Sequence, residues 1–139
     1  MKLPATLYFI LSLSLTTSAQ TKIIDENVTK QVYNHHNEAF GKRDINGILA
    51  DYTNESILVT PDKTYIGLKD LRGFFEESFK NFLTDSIEGE TMKELVIKDI
   101  VYSIWRVKTP TLNLDYATET FFIQNGKIIR QTFAGRNGK

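Results

Sequence analysis

The spacing of apolar residues changes along the chain, and each change predicts a different element. Leu3 to Leu15 is an almost uncharged apolar run behind Lys2, followed by the small residues Thr16-Thr17-Ser18-Ala19. The run is about 13 residues, short of the roughly 20 that cross a bilayer as a helix. A positive start, an apolar middle and a small-residue end form the pattern of a cleaved secretory signal. Residues 1–19 are therefore expected to be removed near Ala19, leaving residues 20–139 as a single domain, secreted or periplasmic. Without a cysteine no lipid anchor can be attached at the cleavage point.

From Asp25 to about Arg43 the period is helical. At about 100° per residue, Val28, Val32, His36 and Ala39 share one stripe, flanked by Tyr33 and Phe40. Asp44 suits the cap of a short second helix, Ile45 to Tyr52, because its carboxylate can accept an orphan backbone N–H. Ser56 to Thr60 reads as a short strand closed by a turn at Pro61-Asp62. Gly67 precedes a third helix whose one face carries Leu71, Phe74, Phe75, Ser78, Phe79 and Phe82. That face predicts packing against a sheet.

After Ser86 the period shortens to two. Strands are expected near Ile87–Lys98, Ile100–Lys108, Leu114–Gln124 and Lys127–Gly135. Lys98-Asp99 and Asn125-Gly126 are the tight turns between them, Asn-Gly being the stronger hairpin signal. Thr109-Pro110-Thr111 marks another connection. Helices followed by a meander of long strands imply an α+β fold, a curved and mainly antiparallel sheet wrapped around three N-terminal helices.

Composition narrows the chemistry. Lys+Arg and Asp+Glu are both 17, which argues against a dedicated nucleic-acid binder. With Cys at 0 and His at 2, disulfides, thiolate metal sites and cysteine nucleophiles are excluded, and no metal site is expected. There is no Gly-rich phosphate loop, and nothing in the sequence calls for a cofactor.

The order of His36-Asn37-Glu38-Ala39-Phe40, Asp44 to Tyr52, Ile66-Gly67 before Phe74-Phe75, Ala117 to Phe121 and Asn125-Gly126-Lys127-Ile128 resembles the nuclear transport factor 2-like superfamily. The likeness is to its SnoaL-like and ketosteroid-isomerase-like members and spans most of Tyr33–Gly135. It implies a cone-shaped barrel with a pocket between sheet and helices, and often a homodimer through the sheet. By the same resemblance, His36 falls where the isomerases place a helix-one tyrosine that donates to an oxyanion. Glu119 falls near their buried strand carboxylic acid. Their general base falls on Thr60, and a threonine cannot abstract an α-proton at neutral pH.

The residues point the same way on their own. His36 sits in the apolar stripe, so its imidazole needs a buried partner or a ligand, and an imidazole whose pKa crosses neutrality suits acid–base work. His35, turned by about 100°, falls at the edge of the buried face. Ala117, Glu119, Phe121 and Ile123 share one strand face, so an inward Glu119 would be a carboxyl in an apolar cavity with a raised pKa. On the last strand Ile129, Gln131 and Phe133 are expected inward, and Ile128, Arg130 and Thr132 outward. Gln131 could orient a ligand or partner Glu119. Tyr33, Tyr52, Trp105, Phe121 and Phe133 complete the expected pocket wall. Asp44 and Asp51 are better explained by capping and surface solvation than as a catalytic pair. These positions predict a domain that binds a small hydrophobic molecule, with cofactor-free acid–base chemistry (isomerase-, cyclase- or lyase-like) open to His36 and Glu119. The alternative is a dimerisation or protein-interaction module with a filled pocket.

Overall fold

A computed structural model of the chain describes residues 24–82 and 87–138. The expected secretory signal and its cleavage point lie outside the described residues. The first helix, α1 (Glu26–Gly41), is capped by Asp25, whose carboxylate accepts from the Asn27 N–H at 2.8 Å. Its buried face is Thr29, Tyr33, His36 and Ala39. Val28 is exposed and Val32 only half-buried, so the stripe keeps the predicted His36 and Ala39 but runs through Thr29 and Tyr33, one residue on, in its first half. Thr29 supplies the reason: its hydroxyl donates to the Lys98 carbonyl at 2.7 Å, and Glu26 accepts from the Lys98 N–H at 2.9 Å. A polar residue is turned inward because a strand turn offers it a partner.

Asp44 caps α2 (Ile45–Ala50), accepting from the Asn46 and Gly47 N–H groups at 3.1 and 2.9 Å. This helix stops two residues before the predicted Tyr52 and buries Ile48 and Leu49. β1 (Ile57–Val59) pairs antiparallel with β2 (Thr64–Ile66), around the Pro61-Asp62 turn. β2 was not expected, since its three residues carry no readable alternation. α3 (Gly67–Phe79) begins at Gly67 rather than after it. Gly67 has φ +75, and a Cβ there would lie 2.7 Å from the Asn54 carbonyl oxygen, so only glycine fits the step from strand to helix. Leu71, Phe75 and Phe79 of α3 are buried, and a 3₁₀ turn, Lys80–Phe82, follows.

Four longer strands complete the sheet: β3 (Glu88–Ile97), β4 (Ile100–Lys108), β5 (Asn113–Gln124) and β6 (Lys127–Asn137). The strand order is β2-β1-β6-β5-β4-β3, antiparallel throughout except for the parallel pair β1–β6. The sheet is curved but not closed, with β2 and β3 at its edges. Register shifts on β3, β4, β5 and β6 interrupt the pairing, and such bulges bend strands. One has a direct consequence. Phe122 pairs with Arg130 but Ile123 pairs with Ile128, so Ile129 is the extra residue and Ile128 turns inward, fully buried. The predicted outward placement of Ile128 is corrected by that bulge.

The helices cover the concave face, α1 against β3, β4 and β5. The main core gathers Tyr33, Ile48, Leu58, Phe75, Phe121 and Ile128. A smaller cluster, Val107, Leu114 and Ala117, is packed by Trp105 and Phe133.

Candidate functional site

A cavity of about 680 Å³ opens between the concave face and the helices. Tyr33, His36 and Phe40 of α1, Phe74 and Phe75 of α3, and Trp105, Glu119 and Phe133 of the sheet line it. Phe40, Phe74, Phe75, Phe82 and Phe133 line this space. Of the residues singled out in the sequence, Tyr33 and His36 line the cavity from α1, and Trp105, Glu119 and Phe133 line it from the sheet.

Tyr52, Phe121 and Gln131 do not line the cavity; they stand behind its wall. The correction has a physical reason. Tyr52 lies just past α2 and Gln131 on β6, both facing the core, so their polar ends bond one another. The Tyr52 hydroxyl donates to the Gln131 amide oxygen. The Gln131 amide nitrogen donates to Glu119 Oε1 at 2.9 Å, and the Trp105 indole N–H donates to Glu119 Oε2 at 3.0 Å. Phe121 packs edge-on against Tyr33 and His36, with ring centres 5.2 and 5.3 Å away.

Glu119 is therefore held by two N–H donors, the Trp105 indole and the Gln131 amide nitrogen. Burial pushes its carboxyl up to about 7, and the bonds from Trp105 and Gln131 oppose part of that rise. Neither donor can receive the proton of the neutral acid. That proton, when present, has to be offered elsewhere, and Glu119 lines the cavity.

His36 behaves differently from the expectation. It is 4% exposed, with Tyr52, Phe75 and Phe121 edge-on around its ring. Burial, helped by neighbouring His35, lowers its pKa to about 3. The ring is neutral at neutral pH, which removes the imidazolium acid but keeps a neutral donor and acceptor. Its Nδ1 lies 3.5 Å from the Tyr52 hydroxyl, a long contact. Because the Tyr52 proton goes to Gln131, any bond here has His36 Nδ1–H as donor, leaving Nε2 as the acceptor.

His35 points away from this site. It is exposed, and its Nδ1 meets both oxygens of Asp51 at 2.8 and 2.9 Å. Asp51 is buried rather than solvated, and burial raises its carboxyl against the lowering effect of His35. Asp44 is the α2 cap and takes no part. Thr60, Pro61 and Asp62 line the cavity, so the turn after β1 brings the Asp62 carboxylate to it. Asn37 of α1 also lines the cavity. Its only sequence signal is adjacency to His36. Among the described residues no cluster of three or more His, Asp or Glu could hold a metal ion.

No family profile matches the chain, and no curated protein matches it. Solved structures do. A candidate ketosteroid isomerase from Kribbella flavida DSM 17836 aligns with TM-score 0.66 and 11% identity, over 81% of each chain. A SnoaL-like protein of unknown function from Burkholderia thailandensis E264 aligns with TM-score 0.64 and 14% identity, over 82% of this chain and 98% of that one. A de novo designed protein with a curved β-sheet aligns with TM-score 0.67 and 16% identity, over 81% of this chain and 88% of that one. The chain has the nuclear transport factor 2-like fold. A designed protein among its neighbours underlines that the fold alone carries no activity.

Proposed function

From a nuclear transport factor 2-like fold as premise, we propose that this domain binds a small, largely apolar molecule and meets its polar group with Glu119. The observation that carries the reading is a carboxyl in an aromatic-lined cavity, gripped from behind by two donors. Such a carboxyl, titrating near neutrality, donates to a carbonyl oxygen when neutral and accepts from a hydroxyl when ionised. Neutral His36 and Tyr33 add two further polar residues to the cavity lining, from α1. Cofactor-free proton transfer to or from a hydrophobic carbonyl compound is the chemistry this set supports, with Glu119 as the group that exchanges the proton.

The test uses Trp105, the only tryptophan, as reporter. A panel of fused-ring and aryl ketones is titrated into the whole chain while its emission is followed. Saturable, one-to-one quenching is expected. Glu119→Gln should weaken it about tenfold above pH 7, where only the native side chain is ionised, for ligands that carry a hydroxyl. Absence of saturable binding across the panel would sink the proposal.

We further propose that two copies associate through the convex face of the sheet. β4 and β5 present Ile100, Tyr102, Ile104, Thr118, Thr120 and Phe122 there, a run without a charge, opposite the buried Val101, Ser103 and Phe121. Charge depletion with aromatic content is the composition of an interface core.

A further inference from the structure

The bonds around Glu119 have a direction. Trp105 donates to one carboxyl oxygen, and Gln131 donates to the other while its own oxygen accepts from Tyr52. A side-chain amide has two faces of opposite character, and exchanging its nitrogen and oxygen costs only a rotation about its last bond. Gln131 is 1% exposed, so no bulk water decides between the two orientations. In one orientation the amide nitrogen faces Glu119. In the other the amide oxygen does, and two oxygens can meet there only if Glu119 carries a proton between them. Among the groups bonded to Gln131, Tyr52 alone distinguishes these states without titrating near neutrality. Its hydroxyl, further from ionisation than an ordinary phenol because it is buried near Glu119 and Asp51, must donate, and its single proton goes to Gln131.

We infer that Tyr52 is a positioning residue: by donating to the Gln131 amide oxygen it locks the amide nitrogen onto Glu119, so that the carboxyl is held from behind as an acceptor and its proton is directed to the cavity. Tyr52 touches no ligand site, since it does not line the cavity. It acts through Gln131.

The other groups that face this carboxyl do not do the same work. From α1 come Tyr33 and neutral His36. Lys30 of α1 reaches the sheet but is engaged by Glu94 of β3. At the cavity mouth stand Asp62 and the pair Arg106–Glu90, whose N···O separation is 2.5 Å. α3 lines the cavity with Phe74, Phe75 and Ser78. None of these is bonded to Gln131.

The inference concerns the carboxyl used in the proposed function, but its test needs no ligand, so the two can fail separately. Emission of Trp105 in the whole chain is followed against pH, because the indole N–H sits on Glu119 itself. The native chain should show one transition at about 7, absent in Glu119→Gln. Tyr52→Phe keeps the ring and removes the donor, and should raise the midpoint by about one pH unit as the amide turns over. Gln131→Leu should raise it as well. Adding Tyr52→Phe to Gln131→Leu should raise it no further, which is the signature of action through Gln131. In the unaltered chain, the Gln131 side-chain amide nitrogen resonance should move with the same midpoint as the emission. That measurement stands even if a variant fails to fold. The inference is overturned by a transition that survives Glu119→Gln, by an unmoved midpoint in Tyr52→Phe, by a full Tyr52→Phe shift in the Gln131→Leu background, or by an amide resonance that ignores the titration.

Discussion

His36 and Glu119 each carry a buried titration, and the two run in opposite senses. The pKa of His36 falls on folding from 6.5 to about 3, so between those values the unfolded chain holds a proton that the folded chain refuses. Stability from His36 is present above 6.5 and is lost as pH falls. The pKa of Glu119 rises from 4.5 to about 7, so the folded chain holds the extra proton there. Its contribution is full below 4.5 and lost as pH rises toward 7. Each slope is about 1.4 kcal/mol per pH unit. From 4.5 to 6.5 they cancel. Glu119→Gln removes one of them. The variant should therefore gain about 3 kcal/mol between those two pH values, while the native chain stays nearly level across the same window. Urea unfolding curves collected across it decide the matter; a variant as flat as the native chain would show that the two groups are not both buried as titratable pairs.

Thr29 shows how an element is seated. It places a hydroxyl among apolar neighbours, 2% exposed, and spends it on the Lys98 carbonyl at 2.7 Å. This ties the first turn of α1 to the β3–β4 turn. Thr29→Val keeps the shape and leaves that carbonyl without its donor. A loss of about 1–2 kcal/mol is expected by thermal or urea unfolding, with the cavity side of α1 unchanged. Unchanged stability would mean that the turn does not need the bond. The same residue explains why the stripe of α1 was legible only to within one position. Periodicity ranks residues by apolarity, and Thr29 is inward for a reason that lies in a turn 69 positions away. Ile128 escaped for a related reason, since a bulge resets the alternation and leaves no mark in composition. Where local chemistry decides, the sequence was sufficient: Asp44 caps α2, and Asn125-Gly126 turns with both residues at positive φ. His36 was placed by helical period and Glu119 by strand alternation, and both line the cavity. The order Tyr52–Gln131–Glu119 was not legible, because it depends on three elements meeting with particular atoms facing one another.

At the scale of the molecule the sheet has two faces with different work. The concave face closes on the helices and holds the cavity, and the convex face has no element over it among the described residues. Leu95 and Ile97 on β3 and Val59 on β1 are 42%, 49% and 43% exposed, flanking the uncharged rows of β4 and β5. Water over so much apolar surface is costly, and a second copy of the same face would remove it. Ile104 lies near the middle, opposite Thr118, which in turn is opposite Ala134. Ile104→Asp places a carboxylate where a partner would have to desolvate it. Sedimentation equilibrium should show a dimer of the native chain and at least about a hundredfold weaker association of the variant. Because the cavity belongs to the opposite face, quenching of Trp105 by a bound ketone should survive in the monomeric variant. A native chain that stays monomeric at every concentration would refute the dimer and leave the cavity reading intact. Loss of ligand binding together with the dimer would instead mean that the two faces are coupled through β4 and β5, the strands that carry Trp105 and Glu119.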